Sequence, residues 1–466
     1  MASPSHSTSL HGSAAPERPG LSFAILASVQ ITLIAAITVM TVALPAIQRD
    51  LGLTDTQLVL ATSAYSLSFG GLLILGGRLA DLRGHRAIFV TGAVVFGGAS
   101  LAAAAAETLW VLASARFAQG VGAALAAPAA MALLSSVFPD PARRTRALAL
   151  WGVLASIGAS SGNLVSGVIL SWGHWRWLFI LPAIIAAISV VCVPVLPPGP
   201  GHRPVQLDVP GALLVTAGLS AFAVGLGESA WGLIGSGLVI LSVFAARQAR
   251  TATPLVPPSL LASGPRLAAL LAIGLTAAGM AAYFFMLSLY FQTTLGYPPL
   301  RTSAAFLPAV LAVLLAGAAG GRAARRLGGG GLTAVGLVLA AVGMALLSTL
   351  EADSSYWGLL VVGITLFPVG AGLAFSGATV WAVGGTALRD AGLVGGIVNT
   401  AMEIGPPVGL AILVPLATSH AEGRGGGAEG DAGGYAFGFG AAALALAAVA
   451  GLILLQRATG RGDSRS

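Results

Sequence analysis

The sequence predicts an all-α integral membrane protein, and composition and hydrophobic patterning carry this prediction. Of the 466 residues, 56% are hydrophobic and 8% are charged, whereas about a quarter of the residues in soluble domains are charged. Apolar runs of about 20 residues, the length of a membrane-crossing helix, recur along the chain. A membrane β-barrel would instead show ~10-residue segments of alternating polarity. The pattern therefore favours a helical bundle and disfavours a soluble enzyme, a nucleic-acid binder and a disordered scaffold.

The apolar runs predict fourteen transmembrane helices. The seventh and eighth runs, 209–227 and 231–246, are so close together that they predict a helical hairpin. The predicted spans are 22–46, 57–77, 87–106, 109–136, 146–170, 177–196, 209–227, 231–246, 267–292, 302–321, 331–350, 356–384, 391–417 and 434–456.

The arginines predict the orientation of these helices. All 23 basic residues are arginine. With the N-terminus inside, 18 of them fall in inner segments and 4 in outer ones, as the positive-inside rule requires, and Arg116 falls within a span. The basic charge is thus spread over loops and indicates no nucleic-acid partner. We expect a bacterial plasma-membrane protein with both termini cytoplasmic.

A repeat divides the chain into two halves. Residues 76–92 (GGRLADLRGHRAIFVTG) and 320–336 (GGRAARRLGGGGLTAVG) share six identities without gaps, four of them glycines, and both lie on the predicted inner face. Parallel repeats of this kind are a transporter architecture. The predicted organisation is a disordered cytoplasmic tail, an N-terminal six-helix bundle, a linker with the inserted hairpin, a C-terminal six-helix bundle and a cytoplasmic tail. These segments are 1–21, 22–197, 198–263, 264–456 and 457–466.

Residues 77–86, GRLADLRGHR, form the most specific motif. They resemble the loop between helices 2 and 3 of the major facilitator superfamily, and the resemblance, to its fourteen-helix drug:proton antiporter branch, extends over roughly 22–456. It implies two pseudo-symmetric six-helix bundles plus an inserted two-helix hairpin, and a gating loop. In that loop Gly77 and Gly84 would permit a tight turn, and Asp81 would pair with Arg86 or a helix end. The alternative is a charged turn that only fixes topology.

Residues 112–124, LASARFAQGVGAA, are similar to the family's helix 4 motif and contain Arg116. An arginine at depth in a membrane costs several kcal/mol, so it should face protein or a wet cavity. The resemblance implies a role for Arg116 in proton coupling or substrate binding. The alternative is that its guanidinium reaches the outer headgroups.

Aromatic residues in spans 2 and 9 are candidates for lining a substrate cavity. Tyr65 lies in a segment that resembles the family's helix 2, and span 9 carries Tyr283, Phe284 and Tyr290. Such side chains suit flat hydrophobic molecules. The alternative is that they pack between helices.

Two positions depart from the family's pattern. Ala36 stands where members often carry an acid in helix 1, and residues 162–167, GNLVSG, lack the proline of the helix 5 antiporter motif, which usually reads Gly-Pro and then Gly-Gly. Glu403, midway along span 13, is the only carboxylate in any predicted span centre. We therefore expect Glu403 to carry proton coupling. The alternative is a protonated glutamate that hydrogen-bonds a neighbouring helix.

These features predict secondary active efflux of a hydrophobic or amphipathic small molecule, exchanged for protons by alternating access. Without a lysine, the chain has no phosphate-binding loop of the Gly-x-x-x-x-Gly-Lys type, so we expect no cofactor and a proton gradient as energy source. One cysteine, Cys192, and histidines confined to loops predict no metal site. The expected partners are the small substrate, protons and the lipid bilayer, with the protein as a monomer.

Three alternatives remain open. A carrier for a natural metabolite or a facilitator without proton coupling would share the fold. An intramembrane enzyme would need a nucleophile and base or metal ligands at depth, where only Arg116 and Glu403 are available. A receptor would normally bring a soluble signalling domain. We expect no enzymatic activity.

Overall fold

The computed structural model describes residues 18–197, 208–227, 230–251, 254, 263–384, 391–425 and 427–463, which form helices and the turns that connect them, with no strand among them. The first half contains six helices. They are α1 (Pro19–Leu51), α2 (Asp55–Arg83), α3 (His85–Ala104), α4 (Leu109–Val137), α5 (Pro141–Trp172) and α6 (Trp177–Val191).

Nine further helices follow. They are α7 (Val209–Gly227), α8 (Trp231–Gln248), α9 (Gly264–Leu289), α10 (Pro299–Ala305), α11 (Leu307–Leu327), α12 (Gly329–Leu347), α13 (Val361–Val383), α14 (Ala391–Gly423) and α15 (Gly427–Asp463). By length and composition, the described residues hold 11 helices able to cross a membrane and three shorter apolar ones.

Helix boundaries follow from capping and proline. Thr54 caps α2 by accepting from the Gln57 amide, and α1 ends at Gly52, whose φ of 63° suits glycine. The predicted span 302–321 overlaps the candidate membrane segment Pro299–Gly317, in which a turn at Phe306 separates α10 from α11. Pro308 lies in the first turn of α11, where its missing amide hydrogen cannot bond to the carbonyl four residues earlier, and this favours the interruption.

Glycines that match in the sequence repeat have matching structural roles. Gly84 and Gly328 each precede a helix, α3 and α12, with φ of 98° and 70°. Gly92 brings α3 against the Ala126 amide of α4, where an added methyl group would lie 2.6 Å from that nitrogen, and Gly336 does the same for α12 against Ala374 of α13. Such close approach of backbones is how small residues pack membrane helices.

Helices α7 and α8 pack against each other as an antiparallel pair. Gly237 of α8 contacts the backbone of Phe222, and Gly225 of α7 contacts that of Ile234. Helix α7 also contacts α2 and α14, whereas α8 buries only Gly237 and Gln248. The pair therefore lies at the side of the bundle, with α8 outermost.

Two ends of the bundle are distinguished by their turns. The α1–α2 turn at Gly52 defines the Gly52 end, and the α2–α3 turn at Gly84 defines the Gly84 end. Helices α1–α6 form one half and α9–α15 the other, and they meet where α2 packs against α14 and where α5 packs against α10.

Candidate functional site in the helix bundle

Arg116 lies on α4 and is buried within the first half, with 1% of its surface exposed. Its Nη1 donates to Oε1 of Gln119 at 3.1 Å, and Nε2 of Gln119 donates to Oγ of Ser100 at 2.7 Å. The guanidinium carbon lies 4.7 Å from the centre of the Tyr65 ring, within range of a cation–π contact. A side chain held in this way does not reach the headgroups, so the snorkelling alternative does not apply to this structure.

The arginine is nevertheless incompletely paired. Its Nε is buried without a hydrogen-bond partner, and no carboxylate forms an ion pair with it among the described residues. A buried guanidinium normally has such a counter-charge. Arg116 therefore retains a donor for a group that this conformation does not supply.

Glu403 lies on α14, in the other half, and is 7% exposed. Helix α14 approaches α2 so closely at this point that a methyl group added to Gly70 would lie 2.6 Å from Cβ of Glu403. Within the described part of the chain, its carboxylate has no hydrogen bond or ion pair, so the alternative of a glutamate bonded to a neighbouring helix is not what this conformation shows. Thr400, one turn earlier on the same face, also has a buried hydroxyl without a partner.

Helix α2 separates these two ionisable groups. Gly120 of α4 packs against the Tyr65 carbonyl and the Ser68 hydroxyl of α2, and this hydroxyl donates to the Phe117 carbonyl at 2.7 Å. Gly70 of α2 contacts Glu403 of α14. Arg116 and Glu403 thus belong to different halves of the molecule and are joined through one helix.

The structure gives Asp81 and the glycines of the candidate gating loop specific partners. Asp81 lies 3.1 Å from Nε2 of His85 and is not paired with Arg86. His85 is the first residue of α3 and lies directly beside the last turn of α2. The side chain of Arg86 points about 100° away from that of His85 around α3. Gly76 makes the close approach, to Ala124 of α4, while a methyl group at Gly77 would meet only Pro128 at an ordinary 3.6 Å.

Gly84 has the predicted role of a turn glycine, since its φ of 98° is a conformation that other residues rarely adopt. Arg78, on the preceding turn of α2, donates to the carbonyl of Pro254 at 2.9 Å. The loop is therefore tied to the segment that follows α8.

The aromatic candidates are packed in this conformation and do not line an open cavity. The hydroxyls of Tyr65, Tyr283 and Tyr290 donate to backbone carbonyls of Leu33, Ile364 and Glu351 at 2.7–2.9 Å. None of the three rings has exposed surface. Phe284 is half-buried and packs edge-on against Tyr283 and Phe306. The sequence placed these aromatic residues in membrane spans, but it did not show that neighbouring helices cover them.

Sequence analysis missed the polar contacts between the halves. Near the Gly52 end, the Ser288 hydroxyl donates to the Thr41 carbonyl at 2.5 Å, and Nε2 of Gln292 donates to the Val42 carbonyl at 3.0 Å. The hydroxyl of Ser303 on α10 donates to the Asn163 carbonyl of α5 at 2.7 Å. Serine recurs along the apolar runs, and nothing in the sequence shows which backbone carbonyl a serine or glutamine side chain will reach.

Among the described residues, no group of three or more His, Cys, Asp or Glu side chains is placed to hold a metal ion. Arg116, Glu403 and the contacts between the halves therefore constitute the candidate site.

Comparison with known proteins places this architecture in a family. Residues 26–410 match the Major Facilitator Superfamily. The chain is 36% identical over 406 residues to the puromycin resistance protein of Streptomyces alboniger, covering 84% of this chain and 81% of that protein. It is 35% identical over 409 residues to the cephamycin export protein of Amycolatopsis lactamdurans, covering 83% and 82%.

A solved structure shares the fold. The crystal structure of a bacterial homolog to the human lysosomal transporter Spinster aligns with a TM-score of 0.71 at 14% identity and covers 94% of this chain and 97% of that one. The family match and the relatives above 30% identity agree with this fold, and the chain belongs to the Major Facilitator Superfamily.

Proposed function

We propose that this protein exports a hydrophobic or amphipathic, antibiotic-like small molecule across the bacterial plasma membrane in exchange for protons. The relatives named for puromycin resistance and cephamycin export support export of such compounds. The observation that carries the coupling is the placement of Arg116 and Glu403, buried in different halves on either side of α2. Movement between the halves would change the surroundings of both.

The proposed topology has fourteen spans. The 11 long helices and the three shorter apolar helices of the described residues supply this number, and α7 and α8 would be the two helices added to a pair of six-helix halves. The arginine distribution favours a cytoplasmic Gly84 end with both termini on that side.

In this orientation, the structure would correspond to a state closed towards the outside. The hydrogen bonds from Ser288, Gln292 and Ser303 join the halves in the part of the bundle near the Gly52 end. Alternating access would require these bonds to break when the outer side opens. The protein would act as a monomer, because each half supplies one of the two ionisable groups.

Inside-out vesicles containing the protein provide the test. With an acidic lumen and no ATP, labelled puromycin should accumulate above its external concentration, and a protonophore should release it. Vesicles without the protein are the control. Equilibration without accumulation would indicate a facilitator and contradict coupled export, and no entry of any compound in an antibiotic panel would contradict export itself.

A further inference from the structure

We propose that Asn163 and Ser166 of α5 form a polar subsite for a substrate group that both donates and accepts hydrogen bonds, such as an amide or a hydroxyl beside a carbonyl. The inference rests on the proposed export function and adds which part of the substrate the protein recognises. It concerns a different place from Arg116 and Glu403.

Both side chains are buried without partners. Asn163 is 1% exposed and Ser166 is 0% exposed. Among the described residues, neither Nδ2 nor Oδ1 of Asn163 has a hydrogen-bond partner, and the same holds for Oγ of Ser166. Each such group costs about 1–3 kcal/mol of desolvation that nothing offsets. Two of them, one helical turn apart, therefore indicate a binding partner that is absent from this conformation.

Glycines on either side fix where these two residues point. Gly162 packs against α1, where an added methyl group would lie 2.7 Å from the Ala35 carbonyl oxygen, and Gly167 packs against Ser303 of α10. At about 100° per residue, Ser166 and Asn163 lie about 40° and 100° around the helix from Gly162, and Gly167 lies about 140° around. The two polar residues thus occupy the sector of α5 between its contacts with α1 and α10.

This sector lies at the contact between the halves. Helix α10 belongs to the second half, and its Ser303 hydroxyl donates to the backbone carbonyl of Asn163 at 2.7 Å. When the halves separate here, that bond breaks and the sector opens. Asn163 and Ser166 would then meet water or substrate, whereas the closed state leaves them unpaired.

The two residues are also where this chain departs from the helix 5 pattern of the family it resembles. Asn163 occupies the place of the proline, and Ser166 the place of the first glycine of the pair that ends at Gly167. Both changes replace residues without polar side chains. They therefore add hydrogen-bonding capacity at one site and are suited to determining specificity.

The chemistry of the site defines the ligand. The asparagine amide offers two donors and an acceptor, and the serine hydroxyl offers one donor and two acceptor lone pairs. Because the residues are one turn apart, they reach neighbouring atoms of one ligand. A cation without hydrogen-bonding groups would gain nothing from them.

Two probes compare a ligand with hydrogen-bonding groups and a cation without them, in inside-out vesicles under the same pH gradient. Puromycin carries an amide and hydroxyls, whereas tetraphenylphosphonium has no hydrogen-bonding group. For Asn163→Leu and Ser166→Ala, we expect KM for puromycin to rise about tenfold and about threefold, within the worth of one lost hydrogen bond, and transport of tetraphenylphosphonium to stay within about twofold. Ser63→Ala, which removes an equally buried and unpartnered hydroxyl of α2, is the control and should change neither KM.

The same variants would overturn the proposal in two ways. An unchanged KM for puromycin in Asn163→Leu would show that the amide binds nothing. Equal losses with both probes, or the same loss in Ser63→Ala, would show a general effect of changing buried polar groups.

A binding measurement separates the subsite from the proposed function. Puromycin should raise the melting temperature of the purified wild-type protein in detergent and not that of Asn163→Leu. Stabilisation of the wild type alone, without vesicle accumulation, would support the subsite and overturn export. Accumulation with equal stabilisation of both proteins would overturn the subsite and leave export standing. A wild-type protein that puromycin does not stabilise would contradict the subsite.

Discussion

The two buried ionisable side chains of the bundle, Arg116 and Glu403, have opposite surroundings. Arg116 is held within one half by Gln119, by Ser100 behind it, and by the ring of Tyr65. Glu403 lies against the Gly70 backbone of the other half and has no hydrogen bond among the described residues. Arg116 therefore has fixed partners in its own half, whereas Glu403 has no hydrogen-bonding partner among the described residues.

This difference separates their roles. A charge held by its own half keeps its partners when the halves move, so Arg116 is suited to acting as a fixed positive charge. A carboxylate at the contact between the halves changes neighbours with every movement. An ionised carboxylate without partners is costly inside a membrane, so Glu403 is suited to gaining and losing a proton during the cycle.

The largest expected effect is that of Glu403→Gln. The amide keeps the size of the side chain and removes the titration, and Ala36 leaves no acid at the usual helix 1 position. We expect gradient-driven accumulation of puromycin in inside-out vesicles to be lost, while binding, measured by thermal stabilisation, remains. Glu422→Gln, at an exposed position on the same helix, is the matched control. Accumulation by Glu403→Gln at the wild-type rate would show that Glu403 is structural.

Arg116→Ala should also reduce transport to the background of empty vesicles, because the cation and its contacts with Gln119 and Tyr65 are lost together. Arg116→Lys should recover less than about a tenth of the rate, since an ammonium group lacks the guanidinium fork and plane. Arg49→Ala removes an exposed arginine and serves as control. A fully active lysine variant would reduce Arg116 to a generic positive charge.

The fold and family were predictable because they depend on features that the sequence displays directly. Apolar runs of helical length predicted the membrane bundle, and the motif around Asp81 predicted the family, which the comparisons confirm. The positions of Arg116 and Glu403 were predictable because charges are rare inside apolar runs. Their roles remain predictions.

Contacts between helices were not predictable in the same way. The sequence places Tyr283 and Tyr290 in a membrane span, but it does not show that Ile364 and Glu351 supply carbonyls to them. Likewise, the motif contains three arginines and one histidine near Asp81, and only the backbone at Gly84 selects His85 as its partner. Tertiary geometry decides among neighbours that sequence leaves equivalent.

A smaller effect is expected at the Gly84 end. Asp81→Asn and His85→Asn should each lower the rate of puromycin accumulation about fivefold, the lower range of a conformational coupling, because the first removes the charge of the contact and the second replaces its imidazole. Arg86→Ala should be milder, since Arg86 does not pair with Asp81. Immunoblots of membrane fractions check that insertion is unchanged. An Arg86 variant that is as impaired as Asp81→Asn would contradict the histidine pairing, and full transport by Asp81→Asn would exclude a gating role.

The smallest effect on transport is expected at Asp208, a carboxylate whose surroundings are the reverse of those of Glu403. Its side chain is 0% exposed and accepts hydrogen bonds from Gln248 at 2.7 Å, from the Gly211 amide at 3.0 Å and from Arg247 at 3.0 Å. Burial by itself raises the pKa of this carboxyl, but the bonds from Gln248, Gly211 and Arg247 outweigh burial, and the net pKa is lowered. These bonds join the start of α7 to the end of α8.

Asp208→Asn should therefore lower stability and leave transport nearly unchanged. Because the folded pKa lies below the unfolded value of about 3.9, the contribution of the carboxylate is complete above that value and is lost as the pH falls through the folded pKa. At pH 7 we expect a loss of about 1–2 kcal/mol, reduced by the partial exposure of Arg247, seen as a lower melting temperature in detergent. The difference from wild type should shrink below about pH 4. Glu403→Gln should show the opposite behaviour, with transport lost and stability kept. If Asp208→Asn instead stopped gradient-driven accumulation, the α7–α8 pair would belong to the transport machinery, and the distinction between a partnered structural carboxylate and an unpartnered coupling carboxylate would fail.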